Sequence, residues 1–285
     1  MKALGVMQGR LLPLYLGRYQ AFPVHDWQRE FIIAKELGLD CIEFVFDRDS
    51  ALLNPLLNAE GVEEINALIK KTGVKVLSVC ADYFMSLPLF AVNKINQKKS
   101  LETLMALIRN AKLIGITDIV IPAVDESSLV RSPYALKILV ESLQQAIPLA
   151  ESLEVNLALE TDLAPKPFLG LLKTLGSKCI KVNYDTGNSA YWGYDVREEM
   201  ATYGSYVSSV HIKDRERFGG PVVLGEGDAD IDLALSELRQ CNFQGCIIMQ
   251  AFRDEEGIEI FKQQLNWFKP ILEKYYSQAE SRIWN

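Results

Sequence analysis

Three residues with metal-binding side chains recur at nearly equal intervals in the second half of the chain. Glu160, Asp185 and His211 are separated by 25 and 26 residues, and each lies in or at the end of a short apolar run. If these runs are neighbouring parallel strands, about 4.8 Å apart, their side chains can converge near a barrel axis. Two carboxylates and an imidazole form a mixed oxygen and nitrogen set that suits Mn²⁺, Co²⁺, Zn²⁺ or Mg²⁺. The spacing therefore predicts a site for one divalent metal ion.

Eight short apolar runs, each followed by an amphipathic stretch, organise the 285 residues. The runs predict strands at Ala3–Gln8, Cys41–Phe46, Val74–Ala81, Asp118–Ala123, Val155–Leu159, Ile180–Tyr184, Val207–Ile212 and Cys246–Met249. The amphipathic stretches predict helices at Trp27–Leu37, Val62–Lys71, Lys98–Ile114, Pro133–Leu153, Pro167–Leu175, Val196–Tyr203, Ile231–Gln240 and Gly257–Tyr275. Eight strand-then-helix units predict an α/β fold, a (β/α)8 TIM barrel, because parallel strands covered on both faces read as continuous apolar runs. We expect a single domain over residues 1–285, with 276–285 as a C-terminal tail.

Charge and hydropathy exclude several classes of protein. The net charge is −7 and the pI is about 5.1, which gives no sign of a nucleic-acid partner. No apolar run approaches the roughly 18 residues of a membrane-spanning helix, so we expect no membrane partner. The N-terminal segment is interrupted by Arg10 and lacks the apolar core of a signal peptide, so we expect a cytoplasmic location.

Cysteine and histidine usage narrows the chemistry. The five cysteines contain no CxxC pair and lie mostly in apolar runs, which predicts buried reduced thiols. Only two histidines are present, so a metal site built from several histidines is excluded. His25 lies in a loop before the first helix, where a surface or helix-capping role is the simplest interpretation.

Four segments of the chain resemble one known family. They are LALE ending at Glu160, YDTGNSAYW around Asp185, SSVHIKD around His211 and LGEGDADI around Glu226. These segments resemble the xylose-isomerase-like barrel family, and most of all its L-ribulose/L-xylulose-5-phosphate 3-epimerase and hexulose-6-phosphate isomerase branch. The resemblance implies a metal-dependent isomerase or epimerase that acts on a ketose or sugar phosphate through an enediolate.

The last strand departs from the family's pattern. The resemblance implies that Glu160, Asp185 and His211 are metal ligands and that a glutamate on the last strand is the fourth. Here the segment IIMQAF places Gln250 at that position. Glutamine can bind a metal through its carbonyl oxygen but cannot transfer a proton.

The family's epimerases use the two glutamates as acid and base, so Glu160 is the surviving base. A second base could come from Asp162, Glu226 or Asp254, or a single base could serve an aldose–ketose isomerisation.

Further polar residues at the strand ends are predicted to contact the substrate. In a TIM barrel, chemistry collects at the C-terminal ends of the strands. Arginine and lysine side chains there suit a phosphate or an acidic sugar, although solvated surface charge is an equally simple interpretation. Carboxylates suit sugar hydroxyls, and aromatic rings near the barrel mouth could line a sugar site. The predicted substrate-binding residues are Arg10, Glu43, Asp82, Asn188, Trp192, Lys213, Arg217 and Arg253.

Alternative functions follow from the same residues. Gln250 also fits a non-catalytic or degenerate sugar-binding barrel, and a lyase or dehydratase acting on a related sugar is a further alternative. The family's endonuclease branch uses a three-zinc site rich in histidine, which a chain with two histidines cannot build. The expected partner is a small-molecule sugar or sugar phosphate, and a homo-oligomer is possible.

Overall fold

A computed structural model describes residues 2–130 and 133–276, and these form a closed eight-stranded parallel barrel surrounded by helices. The barrel strands are β1 Leu4–Met7, β2 Cys41–Val45, β3 Lys75–Cys80, β4 Asp118–Ala123, β5 Asn156–Thr161, β6 Ile180–Asp185, β7 Val207–Ile212 and β10 Cys246–Met249. A separate antiparallel ribbon consists of β8 Asp214–Arg215 and β9 Pro221–Val222. The helices are α1 Trp27–Glu36, α2 Ala59–Thr72, α3 Tyr83–Ser86, α4 Lys94–Ile114, α5 Pro133–Leu153, α6 Pro165–Leu175, α7 Thr186–Trp192, α8 Val196–Tyr203, α9 Ile231–Gln240 and α10 Ile258–Tyr276.

The strand order confirms the predicted (β/α)8 barrel. Around the barrel it runs β1-β10-β7-β6-β5-β4-β3-β2, and every neighbouring pair is parallel. Strands β5, β6 and β7 are consecutive neighbours, so their C-terminal ends meet on one side of the barrel mouth.

Two helices begin earlier than predicted, each after a polar side chain that caps its first turn. Helix α2 begins at Ala59, ahead of the predicted Val62, because the Asn58 side chain accepts a hydrogen bond from Gly61 N. Helix α4 begins at Lys94 because Asn93 caps its first turn in the same way. Apolar periodicity marks only the core-facing turns of a helix, and therefore misses polar first turns.

The sequence patterns missed three short elements near the barrel mouth. These are α3, α7 and the β8–β9 ribbon, each too short to show a hydrophobic period. The predicted C-terminal tail is affected as well, because Tyr276 belongs to α10 and residues 277–285 lie outside the described part of the chain.

The core has an outer and an inner part. A large cluster packs the strands against the helices, and a smaller cluster from six strands fills the barrel interior. The smaller cluster consists of Met7, Cys41, Val45, Cys80, Val120, Ala158, Cys246 and Ile248. All five cysteines are free, four of them are buried and Cys241 is half-buried. Within the described ranges, no helix is long and apolar enough to cross a bilayer.

Replacement by alanine should change the free energy of unfolding in opposite directions at two glycines, Gly245 and Gly170. Gly245 precedes β10, and a Cβ there would collide with the backbone carbonyl oxygen of Ser208 on the neighbouring β7. Gly170 lies on the exposed side of α6, with open space where a Cβ would stand. We expect Gly245→Ala to lower the free energy of unfolding by about 2 kcal/mol or more, and Gly170→Ala to raise it by about 0.5 to 1 kcal/mol. Urea unfolding measures both, and a Gly245→Ala protein as stable as the parent would contradict this packing.

Candidate metal centre

Glu160, Asp185 and His211 lie together at the C-terminal ends of β5, β6 and β7. Asp185 and His211 are direct register partners across β6 and β7. One potential ligand atom from each of the three residues lies within 4.8 Å of the others. All three residues are buried. The predicted trio therefore forms a group that could hold a divalent metal ion.

Glu43 fixes the orientation of the His211 ring. Its Oε1 lies 2.7 Å from Nε2 of His211, and both side chains are fully buried. The other ring nitrogen, Nδ1, faces the carboxylates, 3.4 Å from Oε2 of Glu160 and 3.9 Å from Oδ2 of Asp185. A carboxylate on the far nitrogen is the arrangement that commonly sets the tautomer of a metal-binding histidine. Glu43 was predicted to contact sugar hydroxyls, but the structure places it behind His211, away from the cavity.

Without a bound cation, His211 lies between acids. Burial by itself would lower the pKa of His211, but the charges of Glu43 and Glu160 and the close contacts of the ring nitrogens with both carboxylates outweigh burial and raise the pKa well above its usual value. The metal-free site therefore favours a protonated imidazolium. A raised histidine pKa among buried carboxylates is typical of a site whose negative charge suits a cation.

Two asparagine side chains clamp the Glu160 carboxylate. Asn183 Nδ2 donates to Oε2 and Asn188 Nδ2 donates to Oε1, both at 2.7 Å. Asn188 was predicted as a substrate contact, whereas Asn183 was missed. Asn183 lies two residues before Asp185 on β6, so the alternation of side chains along the strand places both on one face. That alternation is a signal that could have found it.

The buried polar atoms that lack a hydrogen-bond partner include three from candidate metal ligands. They are Nδ1 of His211, Oδ2 of Asp185 and Oε1 of Gln250. Asp185 uses its other oxygen to cap α7, accepting from Asn188 N at 2.9 Å. Because buried acceptors are normally satisfied, an unpaired set of carboxylate, amide and imidazole atoms fits a cation as the missing partner.

The Gln250 side chain is held by one end only. Its Nε2 donates to Oε1 of Gln20 at 3.0 Å, which leaves its carbonyl oxygen unpaired. Gln20 comes from the loop between β1 and α1 and was not singled out in the sequence. No local pattern marks it, because its role depends on a loop that folds across the barrel mouth.

A cavity of about 280 Å³ lies over this group. Glu160, Asn188 and Gln250 contribute to its lining, together with Asp82 from the end of β3. Its cationic lining comes from Lys213 and Arg215. The Lys213 ammonium lies 3.7 Å from Oδ2 of Asp185.

Arg215 is held firmly on the cavity wall. Its guanidinium lies 4.1 Å from the Tyr191 ring centroid, and Nη1 donates to Asn188 Oδ1 at 3.1 Å. Lys213 and Arg215 are therefore the positive charges that a substrate in this cavity would meet. Arg215 lies two residues after the predicted Lys213, and its partner Tyr191 lies in the segment after Asp185.

Two arginines predicted to bind substrate are buried and donate hydrogen bonds to backbone carbonyl oxygens of neighbouring loops. Arg253 donates from Nη1 to Gly9 O at 2.6 Å and from Nη2 to Leu12 O at 2.7 Å. Arg10 donates to Ala251 O at 2.9 Å, and also to Tyr19 O and the Gln20 side chain. Their donors tie the loops after β1 and β10 together, so they do not line the cavity.

The remaining predicted residues lie outside the cavity lining. Arg217 and Glu226 are exposed. Trp192 is half-buried and stacks on Tyr194, with ring centroids 6.4 Å apart. Asp162 is buried, and its Oδ1 accepts from Leu129 N at 3.2 Å. These four residues were predicted to belong to the site because they follow strand ends in the sequence. Closeness to a strand end in the sequence does not determine the direction in which a loop turns.

Comparison with known proteins gives one family and several related sugar enzymes. The sequence model described as "Xylose isomerase-like TIM barrel" matches residues 31–271. The chain is 25% identical over 272 residues to the L-ribulose-5-phosphate 3-epimerase UlaE of Shigella flexneri, covering 91% of this chain and 95% of that protein.

Solved structures share the fold at lower identity. The IOLI protein with a binding zinc atom has a TM-score of 0.76 at 18% identity, covering 97% of this chain and 100% of that one. A D-psicose 3-epimerase from Clostridium cellulolyticum, solved with D-tagatose, has a TM-score of 0.73 at 16% identity, covering 95% and 99%.

Replacement by alanine should change the free energy of unfolding by different amounts at Arg217 and Arg253, the two arginines that were both predicted to bind an anion. Arg253→Ala leaves two buried carbonyl oxygens, of Gly9 and Leu12, without donors, so we expect it to lower the free energy of unfolding by about 3 kcal/mol. Arg217→Ala removes an exposed side chain and should change stability by less than about 0.5 kcal/mol. Thermal or urea unfolding of both proteins provides the measurement. An equal loss of stability in the two variants would show that the hydrogen bonds of Arg253 do not stabilise the loops.

Proposed function

Because the chain belongs to the xylose isomerase-like TIM barrel family, we propose that it is an isomerase or epimerase of a ketose or ketose phosphate. The observation that carries the proposal is the convergence of Glu160, Asp185 and His211 within one ligand shell beneath a polar cavity. The named activities of relatives along almost the whole chain, such as L-ribulose-5-phosphate 3-epimerase, support the same reaction class. They do not favour a non-catalytic sugar-binding barrel.

The site is proposed to hold one divalent ion, Mn²⁺, Co²⁺, Zn²⁺ or Mg²⁺. Glu160, Asp185 and Nδ1 of His211 would be three ligands, and the unpaired Oε1 of Gln250 is available as a fourth. The IOLI protein, which shares this fold and was solved with a bound zinc atom, supports the proposal of a metal in this chain. When bound, such an ion polarises a ketose carbonyl and stabilises negative charge on the adjacent oxygens.

Glu160 is proposed to act as the base. Its carboxylate is held by Asn183 and Asn188 and reaches the cavity, so it can take a proton from a carbon next to the substrate carbonyl. The electron pair left behind gives an enediolate. Asn188 keeps the carboxylate in one orientation and is itself fixed by Arg215, so that the base does not have to reorganise during proton transfer.

Lys213 and Arg215 are proposed to bind the anionic or hydroxyl-bearing end of the substrate. Both line the cavity, whereas Arg10, Arg217 and Arg253 do not. A planar guanidinium stacked on Tyr191 presents its edge to a phosphate or sugar oxygen. The partner is thus a small sugar or sugar phosphate. A cytoplasmic location, with which five free cysteines agree, and a homo-oligomer remain predictions.

Replacing Glu160 tests the proposed base. In D₂O, the wild-type protein loaded with Mn²⁺ should incorporate deuterium into at least one of L-ribulose 5-phosphate, D-tagatose and D-psicose. We expect Glu160→Gln to lower that exchange by about 100-fold or more, because a carboxamide cannot accept the proton. Nuclear magnetic resonance of the recovered sugars measures the exchange. Exchange that survives in Glu160→Gln would exclude this residue as the base, and no exchange with the metal-loaded wild type would refute the proposed function.

Replacing Glu43 tests how the histidine is positioned. Glu43→Gln keeps the size of the side chain but weakens the hold on Nε2 of His211, so we expect affinity for Mn²⁺ to fall by about 10- to 100-fold. The matched control is Glu102→Gln on α4, where the side chain is 67% exposed. Titration calorimetry compares the three proteins, and unchanged affinity in Glu43→Gln would contradict the assigned role.

A further inference from the structure

A second carboxylate borders the proposed reaction cavity on a different wall from Glu160. Asp82 lies two residues after the end of β3 and lines the cavity together with Glu160, which lies near the C-terminal end of β5. Strand β4 separates the two strands around the barrel. A sugar in the cavity would therefore meet the two carboxylates from different directions.

Four other acidic residues on loops after the barrel strands are less suitable for proton transfer than Asp82. Asp125 lines the cavity, but its side chain is 53% exposed and lies 3.9 Å from Arg215. Asp162 accepts from Leu129 N and does not line the cavity. Glu226 and Asp254 are exposed. Among the described carboxylates of the cavity wall, Asp82 is the half-buried one that is not a candidate metal ligand.

Gln20 connects Asp82 to the unusual residue at position 250. Gln20 Nε2 donates to Oδ2 of Asp82 at 2.7 Å, and its Oε1 accepts from Nε2 of Gln250 at 3.0 Å and from Arg10 at 2.9 Å. Both donors on Oε1 fix the amide so that its NH₂ group faces Asp82. A glutamate at 250 would remove one of them, because an ionised carboxylate donates no hydrogen bond. The glutamine at 250 and the aspartate at 82 thus belong to one hydrogen-bonded arrangement.

From this arrangement we propose that Asp82 is the second proton-transferring residue of the reaction, taking the place of a carboxylate at position 250. The inference rests on the proposed function and narrows it to a two-base epimerisation. Glu160 removes the proton from the carbon next to the carbonyl, and the C–H electron pair moves into the enediolate. The carboxylic acid of Asp82 then donates its proton to the opposite face of that carbon, forming the new C–H bond.

The reaction neither consumes nor releases a net proton and needs no co-reactant. After one conversion Glu160 carries the proton and Asp82 is ionised, and exchange with water returns both to their starting forms. Loss of solvent contact raises the pKa of Asp82, and the charge of Glu160 adds to this, while hydrogen bonds from Gln20 and Cys80 act in the opposite direction. The net increase favours the protonated form that a general acid needs.

The test separates proton removal from proton delivery. With Mn²⁺-loaded protein in D₂O, the probe is whichever of L-ribulose 5-phosphate, D-tagatose and D-psicose exchanges fastest with the wild type. Asp82→Asn keeps the shape of the side chain but cannot donate an acidic proton. We expect the rate of epimer formation to fall by about 100-fold or more, while deuterium still enters the recovered, unepimerised sugar at a rate within a few-fold of wild type.

Controls decide between the outcomes. Asp49→Asn makes the same change where the side chain is 75% exposed, and should leave both rates unchanged. Asp82→Ala should regain epimer formation when formate is added, because a small carboxylic acid can occupy the vacated space. Epimer formation at the wild-type rate in Asp82→Asn, or parallel loss of both rates with no rescue by formate, would overturn the inference. Absence of exchange with the wild type would instead refute the proposed function itself.

Discussion

The hydrogen bond between Glu43 and His211 is the constraint on which the rest of the site depends. It joins β2 to β7, two strands that are not neighbours in the barrel, through its fully buried interior. A buried carboxylate and imidazole are costly to desolvate, and their direct contact offsets part of that cost. The contact commits Nε2 of His211 and presents Nδ1 to Glu160 and Asp185. The orientation of the His211 ring is therefore set by a contact within the barrel's core and not by a loop.

Around this contact, nearly every group near the proposed metal is held by a second residue. Asn183 and Asn188 fix Glu160, the backbone N–H of Asn188 fixes one oxygen of Asp185, and Gln20 fixes Gln250. Nδ1 of His211, Oδ2 of Asp185 and Oε1 of Gln250 have no hydrogen-bond partner and are available to a cation. This division between supporting hydrogen bonds and open ligand atoms is what distinguishes a prepared site from a chance cluster of acids.

The barrel was predictable from the sequence, because eight apolar runs and eight amphipathic helices repeat at a regular period. The convergence of Glu160, Asp185 and His211 was predictable for the same reason, since strand ends of a parallel barrel must meet. The partners of these three residues and of Gln250 were not: Glu43 contacts His211 across 168 residues of sequence, and Gln20 reaches the site from a loop. Arg253 lies at a strand end like the true cavity residues, but its side chain turns towards backbone carbonyls. Direction of a side chain depends on tertiary packing, which spacing along a chain does not encode.

The central claim is that Glu160, Asp185 and His211 bind one divalent ion through Nδ1 of the histidine. A crystal structure of the Mn²⁺-soaked protein, with anomalous difference maps collected at a wavelength where manganese scatters, tests it most directly. We expect one strong peak at about 2.0 to 2.3 Å from a carboxylate oxygen of Glu160, a carboxylate oxygen of Asp185 and Nδ1 of His211. No peak at this position, or a manganese ion bound elsewhere in the barrel with His211 still paired to both Glu43 and Glu160, would contradict it.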